Sequence, residues 1–209
     1  MLRPVKTLLL VVLTQLPMPE LDAPGAFKEL EKGSYGVLSA RDVKDSVYRE
    51  HRVDSVQPFS VAQLCDGVWE VATSGKADGI KLHKLVRDEG EVRVQYEQIS
   101  FPVVSERDYA MTLARDAKVE GGKCRIRFRV TNGADAPELP KNFVRIEKLY
   151  GEWAFSPRAD GRSDVTYRIY SEPAGSIPAF IVKGAQRDTA KSAFNDVMNG
   201  VKKRVESGR

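Results

Sequence analysis

The sequence predicts an α+β fold, in which a curved antiparallel β-sheet packs on one long C-terminal α-helix around an internal apolar cavity. Three observations predict it. Segments of alternating apolar and polar residues follow one another through the middle of the chain, parted by tight-turn residues. One apolar stripe of helical spacing runs over about the last 30 residues. A sheet with an apolar face and a helix available to cover it pack together, and a strongly curved sheet around one helix leaves interior space for an apolar ligand.

The 209 residues allow one domain of generous size, and 42% hydrophobic with 30% charged residues is the profile of a soluble globular protein. No stretch reaches the roughly 20 apolar residues that cross a bilayer. The net charge of +4, from 33 basic and 29 acidic residues, is too mild to point to nucleic acid. From Ser176 to Arg209, however, seven basic residues face three acidic ones. A solvated helix face with a basic tail and contact with an anionic membrane surface are both open readings. Cys65, Cys124, His51 and His83 fall at no metal-ligand spacing, so neither a zinc site nor any other cofactor is expected. The two cysteines could pair or stay buried as free thiols, and the two histidines read as exposed.

The chain opens with Arg3 and Lys6 before the run Thr7-Leu8-Leu9-Leu10-Val11-Val12-Leu13. This has the shape of a short signal peptide, with a surface-packed helix as the alternative. Export to a periplasm or medium follows from the first reading and a cytoplasmic location from the second. Pro17, Pro19 and Pro24 then make a linker to about Gly25. Ala26 to Lys32 has helix formers and reads as a short helix. Val47 to Val53 reads as a strand, and Pro58 to Cys65 as a helix introduced by Pro58 and Ser60. Ile80–Val86, the turn Asp88-Glu89-Gly90 and the strand through Val92, Val94 and Tyr96 form a hairpin. Arg107–Ala114, Cys124–Thr131, Phe143–Phe155 and Val165–Tyr170 complete an antiparallel meander. Ile177, Ile181, Ala185, Ala190, Phe194, Val197, Val201 and Val205 mark the final helix, with Gly184 and Gly200 as points of bend or close approach.

The order of motifs resembles a known family. Phe101-Pro102 followed by Arg107-Asp108-Tyr109 is similar to the signature of the START (StAR-related lipid transfer) family. Val144-Arg145, Gly151 and Thr166-Tyr167 are similar to its last strands, and Glu172-Pro173-Ala174-Gly175-Ser176-Ile177-Pro178 resembles its turn into the C-terminal helix. Ser176 stands where the family has tryptophan. Leu113 stands where many members carry a buried arginine, and Arg115 follows with the strand parity of Arg107. The resemblance spans roughly Val47 to Val205. It implies a helix-grip fold, with residues 1–25 as leader or linker and 26–209 as the lipid-binding domain. It further implies binding, and transfer, of a lipid or sterol-like molecule by a monomer without cofactor. The wider superfamily holds polyketide cyclases and aromatases, so an enzyme on the same fold is the alternative, although no nucleophile or phosphate-loop motif is present.

Candidate ligand-facing residues follow. Glu97 with Arg107 or Arg115 would make a polar anchor inside the cavity. The alternative is a local Arg107–Asp108 pair with Glu97 on the outer face, because Tyr96 shares its parity with Val92 and Val94. Tyr96, Phe128, Trp153, Tyr167, Phe194 and Met198 are assigned to the apolar interior, and Ile177, Phe180 and Ile181 to the mouth at the final helix.

Overall fold

The computed structural model describes residues 16–76, 79–100, 105–175 and 179–208, with side chains at all of these except 118–119 and 179–183. The chain begins its sheet with a hairpin, β1 (Lys28–Gly33) and β2 (Gly36–Asp42), where the sequence suggests a helix. So short a helix has little stability without packing, whereas the edge of β2 offers backbone partners. The charged, mostly exposed side chains of β1 suit an edge strand. Gly36 makes the turn at φ +129°, and a Cβ there would meet the Asp54 carbonyl oxygen at 2.1 Å.

Strand β3 (Arg49–Gln57) leads to α1 (Val61–Ala72), which starts where Ser60 and Gln63 cap each other's backbone N–H groups. The predicted hairpin is β4 (Ile80–Asp88) and β5 (Val92–Ile99), with the Gly90 N–H donating to the Asp88 side chain at 3.0 Å. Then come β6 (Glu106–Val119), β7 (Lys123–Val130) and the single turn α2 (Asn132–Asp135). The long strand expected from Phe143 divides into β8 (Phe143–Arg145), which runs parallel to β6, and β9 (Lys148–Pro157). Strand β10 (Ser163–Glu172) and the 28-residue helix α3 (Ala179–Glu206) follow.

The sheet order is β1-β2-β3-β10-β9-β7-β6-β5-β4. It is a meander with one departure: β10 inserts between β9 and β3, so the last strand joins the two halves. The inner face packs on the helices. Leu64, Cys65, Val68 and Trp69 of α1 and Ala190, Phe194, Met198 and Val201 of α3 are buried there. The helices approach closely because a Cβ on Gly67 would lie 2.9 Å from Val201, and one on Gly200 would lie 2.9 Å from Val71. Gly200 thus serves close approach. Cys65 and Cys124 form a disulfide that ties α1 to β7, closing the question the sequence left open.

The outer face has its own cover. Residues 16–23, a linker by sequence, lie across it and bury Met18 and Leu21 against Tyr150 and Tyr170, whose rings stack at 4.9 Å. Arginines hold this strap through its carbonyls: Arg41 donates to Glu20 at 2.8 Å, Arg168 to Leu21 at 2.8 Å and Arg129 to Pro17 at 3.0 Å. Beneath it, the fully buried Glu50 accepts from Arg41 Nε at 2.8 Å and from Arg168 Nε at 2.7 Å. No helix among the described residues is long and apolar enough to cross a membrane.

Candidate functional site

Strand β5 carries a polar centre on the inner face. Its register with β6 sets Glu97 opposite Tyr109 and Gln95 opposite Met111. Directly opposed residues of an antiparallel pair share a face, and this one continues through Leu113 to Phe128 of β7. Glu97 is 3% exposed. Its Oε2 accepts from the Tyr109 hydroxyl at 2.5 Å, and its Oε1 accepts from Gln95 Nε2 at 2.9 Å. His83 of β4 places Nδ1 3.1 Å from the same Oε1. Gln95 Nε2 also reaches the Ala72 carbonyl of α1 at 3.4 Å, which fixes the amide's orientation. Its Oε1 is buried without a hydrogen-bond partner among the described residues. Burial, and then the neighbouring Glu97 carboxylate, push the Tyr109 phenol well above its ordinary range.

The sequence placed Glu97 on either face and Tyr96 inside, and the structure reverses the parity argument. Tyr96 points to the outer side, where its hydroxyl donates to Asp108 at 2.9 Å. The reason is that β5 is buried on both faces from Val94 to Glu97, so an apolar alternation does not mark the inner one. Nearby, α2 packs on β5 and β6, and its Asp135 pairs with Arg87. Asp108 pairs with Arg145 at 2.5 Å and not with Arg107.

Arg107 does face inward and is 2% exposed. Its Nε donates to the Pro173 carbonyl at 3.1 Å and a terminal nitrogen donates to Ala174 at 3.2 Å. It therefore clamps the turn into α3, where Ala174 and Gly175 both have positive φ. Arg115 shares the face, but its guanidinium turns to Glu91 at 2.6 Å and Asp66 at 2.8 Å and lies over Trp69. Neither arginine supplies the anchor pair that the sequence suggested for Glu97.

The aromatic candidates do come together. Trp153 stacks on Tyr167 at 4.2 Å and on Phe194 at 5.7 Å, and Phe128 stacks on Tyr167 at 6.4 Å. Met198 joins the same core. Ile177 and the side chains of Phe180 and Ile181 lie outside the described residues.

Sequence reasoning missed Gln95, Tyr109 and His83. The signal was the cross-strand register, which pairs the residue two after Arg107 with Glu97. It also read both histidines as exposed. His83 is half-buried against Glu97, and His51 is 4% exposed on the inner face between Ala40 and Ile169. Burial, then the charge of Arg49, push the His51 imidazole down to about 4. Chemically, the centre presents buried hydrogen-bond acceptors, and a continuous series of contacts joins the His83 imidazole through Glu97 to the Tyr109 phenol.

Residues 50–207 match the family model of the START domain. The chain belongs to the START domain family. Over 122 residues this START domain is 30% identical to an uncharacterized protein of Pseudomonas aeruginosa. That match takes in 58% of the chain and 59% of the relative, so the chain spans about six tenths of the relative's length. Among solved structures, a STAR-related lipid transfer protein from Xanthomonas axonopodis superposes with a TM-score of 0.73 at 21% identity, over 84% of this chain and 98% of that one. Human StAR-related lipid transfer protein 5 gives 0.72 at 14% identity, over 85% and 86%. The Zhui aromatase/cyclase from Streptomyces gives 0.52 at 12% identity, over 76% and 96%. These structures share the helix-grip fold.

Proposed function

We propose that this START domain binds a lipid against the inner faces of β5 and β6, beneath the N-terminal half of α3, and carries it between membranes. One observation supports the placement above all. Gln95, Glu97 and Tyr109 are 1%, 3% and 7% exposed. Yet among the described residues the two long helices pack elsewhere, α3 mainly on α1 and β3 and α1 on β7 and β9, and it is the single turn α2 that packs on β5 and β6. The lipid-transfer descriptions of the Xanthomonas and human structures agree with this reading.

Admission of the lipid follows from how α3 is held. Its C-terminal half carries the buried residues Phe194, Met198 and Val201, whereas Gly184, Ala185 and Arg187 to Thr189 are exposed. Among the described side chains of the N-terminal half, Ala190 is buried and the other ties are polar: Gln186 donates to the Ser171 carbonyl at 2.7 Å, and Lys191 pairs with Glu31 at 2.5 Å. Such contacts exchange for water at little cost. The first turns of α3 can therefore swing about the turn that Arg107 clamps, while the disulfide-linked α1 side stays fixed. Lys202, Lys203 and Arg204 sit in the last turns, roughly 35 Å from the first at 1.5 Å per residue. Both ends meet one membrane only if α3 lies along its surface.

The test is transfer of a fluorescent lipid between anionic donor vesicles and acceptor vesicles. The protein should raise the rate well above the spontaneous one. Replacing Lys202, Lys203 and Arg204 together by alanine, or raising salt from about 0.1 M to 0.5 M, should lower the rate several-fold because surface charge attraction is screened. A rate unchanged by the protein would refute the proposal. A rate insensitive to both the charges and the salt would refute membrane docking by the basic end.

A further inference from the structure

We infer that the lipid this START domain takes up ends in a hydrogen-bond donor, an alcohol or an ammonium group, and that an anionic head group is excluded. The inference rests on the lipid-binding reading above and concerns the chemistry of the same site.

The polar atoms of the centre fix the sign. An ionised carboxylate only accepts, and it has about four lone-pair positions. Glu97 uses three of them, for Tyr109, Gln95 and His83. The Tyr109 hydroxyl spends its one proton on Glu97, so toward a ligand its oxygen can only accept. The Gln95 amide spends its N–H groups on Glu97 and Ala72, and its buried Oε1 has no partner among the described residues. The open valences of Gln95, Glu97 and Tyr109 are thus all acceptors. A buried acceptor left unpaired is costly, and a donor brought to it recovers that cost.

The charges agree. An anionic head beside Glu97 would set two like charges in a medium of low dielectric. The inner-face arginines are committed elsewhere. Arg93 donates to Asp88 at 3.0 Å and to Thr73 at 2.8 Å, Arg107 holds the carbonyls of Pro173 and Ala174, and Arg115 is bound by Glu91 and Asp66. His83 is the cationic type of side chain in contact with Glu97, and its Nδ1 is already directed to that carboxylate.

Competition between lipids of one chain length tests this on the full protein. A neutral environment-sensitive dye, N-phenyl-1-naphthylamine, reports occupancy, and hexadecanol, hexadecylamine and palmitate compete for it. Hexadecanol, hexadecylamine or both should displace the dye at concentrations at least about tenfold below palmitate, the factor that one hydrogen bond to a charged group supplies. Glu97→Gln should weaken the preferred competitor by about tenfold and narrow its advantage over palmitate. Should that variant fail to fold, Gln95→Leu is measured instead, with the same narrowing expected. Dye uptake with palmitate equal to or better than the other two would overturn the inference and leave lipid binding intact. An advantage over palmitate that neither variant narrows would overturn the assignment to this centre. No uptake of the dye or of any competitor would overturn the lipid-binding reading, and this inference with it.

Discussion

Glu50→Ala should destabilise the protein by about 3–5 kcal/mol, the usual cost of stripping one partner from a buried ion group. Glu50 is 0% exposed and binds Arg41 and Arg168, which are themselves 6% and 13% exposed at the side chain. Without it, two guanidinium groups would share one shielded space beneath the strap, with Glu152 as the nearest remaining carboxylate, 3.4 Å from Arg168. The penalty arises from the uncompensated cations more than from any gain the pair gives over an apolar substitute. Replacing Arg41, Glu50 and Arg168 together by apolar residues of similar size should therefore cost less than Glu50→Ala alone. Urea unfolding of the two variants checks both statements. A loss below about 1 kcal/mol for Glu50→Ala would show that the strap does not seal the network from water.

Loss of the disulfide is the second large effect. Cys65 and Cys124 are 59 residues apart in sequence. In the chain-entropy account a loop of that length restricts the unfolded chain by about 4 kcal/mol. The double variant Cys65→Ala, Cys124→Ala should lose that amount less whatever relaxation α1 and β7 gain, so about 2–4 kcal/mol in a denaturant series without reductant. Adding dithiothreitol to the native protein should reach the same midpoint. Equal midpoints for native and double-variant protein would mean the bridge does not form in solution. The bond also bears on the proposed admission of lipid, in which α1 stays tied to the sheet while the first turns of α3 swing.

The sheet from β3 onward and the long helix were legible in the sequence because they rest on local signals, whereas the hairpin of β1 and β2 was not. Asp88-Glu89-Gly90 names its turn, and the apolar stripe through Phe194 and Val201 names the face of α3. The site was less legible. Inference from apolar parity fails on β5, where Val94 and Tyr96 are covered on one side and Gln95 and Glu97 are shielded on the other. Only the register with β6 tells which side faces the helices, and register is a property of two strands. The same holds for His51, whose burial depends on lying between Ala40 and Ile169. The strap was read as a linker because Pro17, Pro19 and Pro24 break any helix there. Besides Arg41, its contacts are made by arginines more than a hundred residues away, Arg129 and Arg168 among them, which no local pattern announces. The aromatic cluster, by contrast, was identified residue by residue, since Trp153, Tyr167, Phe128 and Phe194 each stand at core positions of predicted elements.

Central to the account is that the interior above β5 and β6 holds a lipid. Native mass spectrometry of the purified protein after incubation with mixed-lipid vesicles, followed by organic extraction, tests this most directly. The account predicts one lipid per protein chain, with the bound species enriched in donor-terminated lipids relative to the vesicles. A protein that emerges at its bare mass, with no extractable lipid after exposure to every vesicle composition tried, would contradict it.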